Sequence, residues 1–248
     1  MPLSESLVRA LSPLAPVPED ALLTRSAAEL EKLGFTGPNT LACVAVCRDE
    51  LCQPLVAKIH TQWGEAFNLA SLGGLFFAGT TGLHAALHHA PNEDGAARLA
   101  FFAFVHIAID EQGEFGRVQR PGRAAPTRAC GALAAFHDEV VRGAREFKLD
   151  HQDPEQSLLK QRLARELPVG DTPSFWALTR RAQRAAEADL EAAIVWALPP
   201  ECDFALLSGV QLHTPDGGYL APVAAYARVT GQRVVLSLGP SGHEPGPG

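Results

Sequence analysis

This sequence carries no surplus of positive charge. Its 21 lysines and arginines are outnumbered by 28 aspartates and glutamates, for a formal charge of −7. That balance argues against nucleic acid or an anionic membrane surface as the main partner. Long apolar runs are missing too. None approaches the roughly 18–20 residues that a membrane span needs, and the nearest, 99–109, has the length of a strand. The segment 1–20 has no basic flank leading into a clean apolar run, so it reads poorly as a secretory signal. The expectation is a soluble, cytoplasmic chain. Internal repeats are absent, and low complexity is confined to 239–248, whose glycine and proline content predicts a disordered tail. The five cysteines, at 43, 47, 52, 130 and 202, are odd in number and contain no Cys-x-x-Cys pair. That pattern speaks against a secreted disulfide scaffold and against a dithiol redox enzyme.

What is present fits one sizeable α/β domain. The chain has 248 residues, 46% apolar and 20% charged, and can bury a core without crosslinks. We expect a single domain over 1–238, opening with a helical segment, 1–34, that holds helices at 4–12 and 18–33 on either side of a proline-rich break. The apolar run TLACVAV, 40–46, reads as a buried strand that ends abruptly at Arg48-Asp49-Glu50. A helix is expected over 50–63, a second strong strand over 99–109, and long helices over 130–148 and 174–198. Further strands are expected at 204–210, 221–229 and 233–238. Alternation of strand and helix predicts a mainly parallel β-sheet flanked by helices, with its ligand site beyond the carboxyl ends of the strands. Cys47 and His106 fall at or near such ends.

Thiolate and imidazole are the ligands zinc prefers, and a three-ligand set leaves a position open for chemistry. Cys47, His106 and Cys130 could form such a set. Separations of 59 and 24 residues are unlike a zinc finger, so tertiary structure would have to assemble it. Cys47 has a carboxylate, Asp49, two residues on. Cys130 precedes an apolar helical pattern, and a helix N-terminus favours a thiolate. Core filling is the competing reading for each of these residues, as for Cys43, Cys52 and Cys202. His60, His137, His151 and His213 are isolated and read as surface or structural residues.

The segments GFTGPNTLACVAVCRDELCQPL, WGEAFNLASLGGLFFAGTTGLHAALHHAP, FFAFVHIAID and RPGRAAPTRACGALAAF, in this order, resemble the limiting-carbon-dioxide-inducible B/C proteins, also described as θ-type carbonic anhydrases. The likeness is strong over about 34–140. It implies a β-carbonic-anhydrase-like fold, a homodimer, and reversible hydration of carbon dioxide to bicarbonate by zinc-held hydroxide. It also implies Cys47, His106 and Cys130 as Zn2+ ligands, and Asp49 as the carboxylate of an aspartate–arginine dyad. The β-class pattern Cys-x-Asp-x-Arg is broken here, because Leu51 stands where the arginine would be. Arg48, adjacent in sequence, is the first choice for the catalytic partner, with Arg120 or Arg123 in reserve. His84, His88 and His89 are candidates for a proton relay, a substrate pocket or a second metal; surface histidines at a helix end are the plain alternative. A non-catalytic relative that binds zinc and senses bicarbonate or carbon dioxide is the rival function.

Overall fold

A computed structural model describes residues 5–92, 95–144 and 146–238. The tail expected at 239–248 lies outside the described residues. In chain order the elements are α1 (Glu5–Leu11), β1 (Val17–Pro18), α2 (Glu19–Lys32), β2 (Leu41–Val46), α3 (Gln53–Trp63), β3 (Phe67–Asn68), α4 (Gly79–His89), β4 (Arg98–Ala108), β5 (Arg117–Val118), β6 (Thr127–Arg128), α5 (Gly131–Val141), α6 (Pro154–Ala164), α7 (Phe175–Ala197), β7 (Asp203–Thr214), β8 (Gly217–Val229) and β9 (Gln232–Val235). Short 3-10 turns occupy Gly37–Asn39, Glu50–Cys52 and Leu72–Gly74.

The fold is mixed α/β, with a seven-stranded sheet in the order β1-β8-β7-β4-β2-β3 and β9 added beside β8. β3, β2, β4 and β7 run parallel, as the alternating pattern predicts. β8 returns antiparallel to β7 through a Pro215-Asp216 turn, the connection that a Pro-Asp-Gly sequence favours. β4 is buried along almost its whole length, which explains its uninterrupted apolar run: helices cover both of its faces. On one side Phe102 and Phe104 join Val44, Val46, Leu133 and Phe136 in a core cluster. On the other side Phe101 packs with Cys43, Leu83, Ile194 and Leu206.

Some expected boundaries shift. The helix expected over 130–148 stops at Val141, where Gly143, at φ 97°, lets the chain turn back and its amide bond Val140. The separate helix α6 follows where no element was expected. The chain also leaves the sheet at Val46, so strand periodicity does not extend to Cys47. Cys43 and Cys47, whose four-residue spacing would place them on one face of a continuous strand, lie in opposite core clusters.

Candidate metal centre

The register of the central strands builds this site. β4 pairs with β7 as far as Ala108, but β2 stops at Val46, opposite Phe104. His106 therefore extends past the end of β2, on the same face as Phe104 by the two-residue period of the strand. Cys47 is the first residue past β2 and bridges to Ser71. The Leu72–Gly74 turn then brings Gly74 against this junction. A Cβ on Gly74, at φ 71°, would lie 2.9 Å from the Phe104 carbonyl oxygen and 3.4 Å from the Cys47 amide nitrogen. Cys130 stands at the N-cap of α5 and makes no side-chain cap, so its sulfur remains free to face the cluster.

These elements bring together the three residues proposed from sequence. One ligand atom from each of Cys47, His106 and Cys130 lies within 4.8 Å of the others, and all three residues are buried. The two sulfurs are 3.6 Å apart. Metal–sulfur bonds of about 2.3 Å in a tetrahedron set sulfurs about 3.8 Å apart, so the spacing suits zinc. His106 is fully buried, and its Nε2 has no hydrogen-bond partner. A buried, unpartnered ring nitrogen beside two thiols is the arrangement a metal would satisfy. The donor set fits the ion. The thiols also share a proton: the hydrogen bond from Cys130, opposed by burial and aided by His106, holds Cys47 down at about 4. Cys130, giving that bond, is pushed well above the usual thiol value.

Asp49 begins the turn that follows Cys47, and its Oδ1 accepts the Leu51 amide at 3.1 Å. Its Oδ2 lies 3.9 Å from His106 Nε2. Burial raises the Asp49 carboxyl above its ordinary value, against the pull of the Leu51 amide, His106 and Arg120.

Arg120, from the β5–β6 hairpin, is the arginine that meets this carboxylate. Its Nη2 donates to both Asp49 oxygens, at 3.0 and 3.1 Å. Its Nε bonds Glu50, and its Nη1 bonds Thr127 and the Arg128 carbonyl. Arg120 first, and Asp49 after it, hold Glu50 down at about 2.

Arg48, the first choice from sequence, is directed elsewhere. Its Nε donates to the Ala70 carbonyl at 3.2 Å, and its Nη1 pairs with Glu155 at 3.3 Å. The chain bends at Arg48 and Asp49 after β2 ends, and the Arg48 side chain goes to the Ala70–Glu155 side of that bend rather than to Asp49. Arg123 serves the turn instead, its amide donating to the Arg120 carbonyl.

His84, His88 and His89 lie on α4 and are exposed. His89 meets Phe67, and His88 lines a cavity with Ala97, Pro199 and Cys202 at the amino ends of β4 and β7. His106 is nine residues further along β4, about 30 Å at the strand rise. The structure thus keeps His88 and His89 away from the cluster.

His213, read as isolated, is the residue that sequence reasoning missed. It follows Gln211 by two in β7, and its Nε2 lies 3.1 Å from His106 Nδ1. Burial, then His106 and Arg120, push it down to about 3. Strand register was the missing signal. It also lines a cavity of about 710 Å3 with Glu50, Leu51, Asp110 and Thr214.

Residues 16–229 match the family model described as limiting CO2-inducible proteins B/C beta carbonic anhydrases. The crystal structure of limiting CO2-inducible protein LCIB is similar to this chain, with 33% sequence identity and a TM-score of 0.77. That similarity covers 94% of this chain and 98% of that one. PtLCIB4, described as a homolog of LCIB, is 21% identical with a TM-score of 0.81, over 94% of this chain and 99% of its own, a likeness of fold. None of the curated proteins matches this chain. Among the described residues, no helix is long and apolar enough to cross a membrane.

Proposed function

The chain belongs to the limiting CO2-inducible B/C family of β-carbonic anhydrases, and on that footing we propose that it is a zinc-dependent carbonic anhydrase. The reaction is the reversible hydration of carbon dioxide to bicarbonate. One arrangement carries the reading: Asp49 lies against the Cys47–His106–Cys130 set, yet both its oxygens are anchored to Arg120 Nη2.

Cys47, His106 and Cys130 would hold the metal. When bound, zinc supplies the Lewis acidity that makes water nucleophilic near neutral pH. Two thiolates and a neutral imidazole balance its charge, which keeps the buried site neutral overall. Asp49 acts as hydrogen-bond acceptor at Oδ2, orienting the attacking oxygen toward carbon dioxide. Arg120, with the Leu51 amide and His106, opposes the rise that burial imposes on that carboxyl, and its two bonds hold the group back from becoming a ligand itself. Burial around His106 excludes bulk water, so these bonds act at a lower effective dielectric than they would in solvent.

The test is stopped-flow carbon dioxide hydration on protein whose zinc content is measured in the same sample. The expected result is about one zinc per chain and activity that disappears in Asp49→Asn while the metal stays. Zinc without activity at neutral and alkaline pH would overturn the enzyme reading in favour of a bicarbonate or carbon dioxide sensor. The accompanying proposal that the chain forms a homodimer in the cytoplasm is tested first by sedimentation; a monomer mass at all concentrations would remove the dimer.

A further inference from the structure

His213 touches the ligand set without belonging to it. β4 and β7 run parallel with Ala108 opposite His213 and His106 opposite Gln211. Both histidines therefore project from the same face, one step apart along neighbouring strands. Their rings meet edge to face, with centroids 5.2 Å apart and planes at 78°. His106 Nδ1 and His213 Nε2 are 3.1 Å apart, and one hydrogen must lie between them.

That hydrogen has two possible owners, and they leave different chemistry behind. If His213 donates, neutral His106 carries its own hydrogen on Nε2. A buried N–H would then face the site with no partner in good hydrogen-bond geometry, a donor left unmet by burial. If His106 donates from Nδ1, its Nε2 is a bare lone pair. The unpartnered nitrogen then has the lone pair that a metal ligand needs.

We propose that His213 is a positioning residue for the metal centre. Its Nε2 accepts the Nδ1 hydrogen of His106, fixing both the tautomer and the ring plane that present Nε2 as a ligand. The inference rests on the zinc reading given above. It deepens that reading by assigning the outer partner that a metal-bound histidine requires. A carboxylate or a backbone carbonyl commonly fills this place; here a neutral imidazole does so, which adds no negative charge to a site already balanced by two thiolates. The acceptor also lines the 710 Å3 cavity, whereas His106 is fully buried. The support of the ligand is therefore reachable from a side that the ligand itself is not.

Zinc affinity of the full-length protein, measured by competition with a chromophoric chelator, tests this in wild type, His213→Leu and His213→Gln. Gln offers an acceptor oxygen close to the place of Nε2; Leu offers none. The expected result is a loss of about 10–100-fold in zinc affinity for Leu, the usual effect of removing an outer partner, and recovery of most of that loss in Gln. The visible absorption of the cobalt-substituted Leu protein should change as well, reporting an altered ligand set. Unchanged affinity in both variants would overturn the inference. So would equal losses in both that track a lower unfolding midpoint of the metal-free protein, since those mark a packing role. A second zinc in wild type, lost in both variants, would instead make His213 a ligand with Cys52 and His106, whose donor atoms also lie within 4.8 Å of one another. Wild type that binds no zinc would remove the functional reading and this inference together.

Discussion

Arg48 and Arg120 carry the same guanidinium, and the backbone decides what each can reach. Arg48 leaves the chain beside Asp49 but extends to Ala70 and Glu155, whereas Arg120 arrives from 71 residues away to meet Asp49. The two positions should separate cleanly by mutation. Arg120→Ala is expected to keep about one zinc per chain and lose at least 10²-fold in carbon dioxide hydration, the scale of removing one positioned charge-stabilising donor. Arg48→Ala breaks a largely exposed ion pair worth about 0–1 kcal/mol and should leave the rate close to wild type. Zinc analysis with stopped-flow rates decides both; an inactive Arg48→Ala beside an active Arg120→Ala would reverse the assignment. The carboxylate was readable from sequence because Cys47 and Asp49 share one short turn. Its partner was not, because nothing local encodes which distant loop will fold over that turn.

Among the elements, apolar runs marked β2 and β4 because both are covered on two faces, and parallel order followed from the helices between strands. Register was not written there, and register is what places His213 beside His106. Gly143 is a stop signal for α5, masked in the sequence by the apolar residues Ala144 and Phe147 that follow it. α6 escaped notice because its sequence, PEQSLLKQRLA, is largely polar; besides burying Leu159 and Leu163, it supplies Glu155, which accepts the Leu72 amide at 2.9 Å and so steadies the turn beside Cys47. That turn supplies a second prediction. Gly74→Ala adds a Cβ 2.9 Å from the Phe104 oxygen and 3.2 Å from Val105 Cα, at a φ of 71°. Left-handed strain and overpacking together should cost about 2–4 kcal/mol, read from urea unfolding. Gly79→Ala, at φ 61° with nothing within 4 Å, carries the backbone strain alone and should cost about 1–2 kcal/mol. Equal losses at the two sites would refute the close packing described for Gly74.

For the whole molecule, topology explains why the histidines at the end of α4 sit far from His106. A helix joining parallel strands runs back along the sheet, so the end of α4 falls at the start of β4, and His88 and His89 go with it. That much could have been deduced from their short distance ahead of β4. Away from the site, Tyr226 donates to Glu191 at 2.8 Å, and burial, then Glu191, raises its phenol above the ordinary 10.0. Above pH 10 the unfolded chain loses this proton while the native protein keeps it, so stability falls as pH rises; below pH 10 both states hold it and the group contributes no slope. Tyr226→Phe should flatten the loss of urea midpoint between about pH 10 and 11, and an unchanged slope would place the alkaline sensitivity elsewhere. Chelation gives a fourth test: because the ligands converge only in the folded sheet, zinc at about 1,000 times its Kd should add about 4 kcal/mol, and a chelator should lower the unfolding midpoint accordingly. A midpoint indifferent to chelator would mean the cluster holds no metal. The early end of β2 has a last consequence. It divides the candidate centre in two: a Cys47–His106–Cys130 half set by the end of β2, the β4–β7 ladder and the start of α5, and an arginine half borne on the β5–β6 hairpin. Such a centre is modular: on the proposed function, a change confined to the hairpin would retune turnover without touching the residues that would hold the metal.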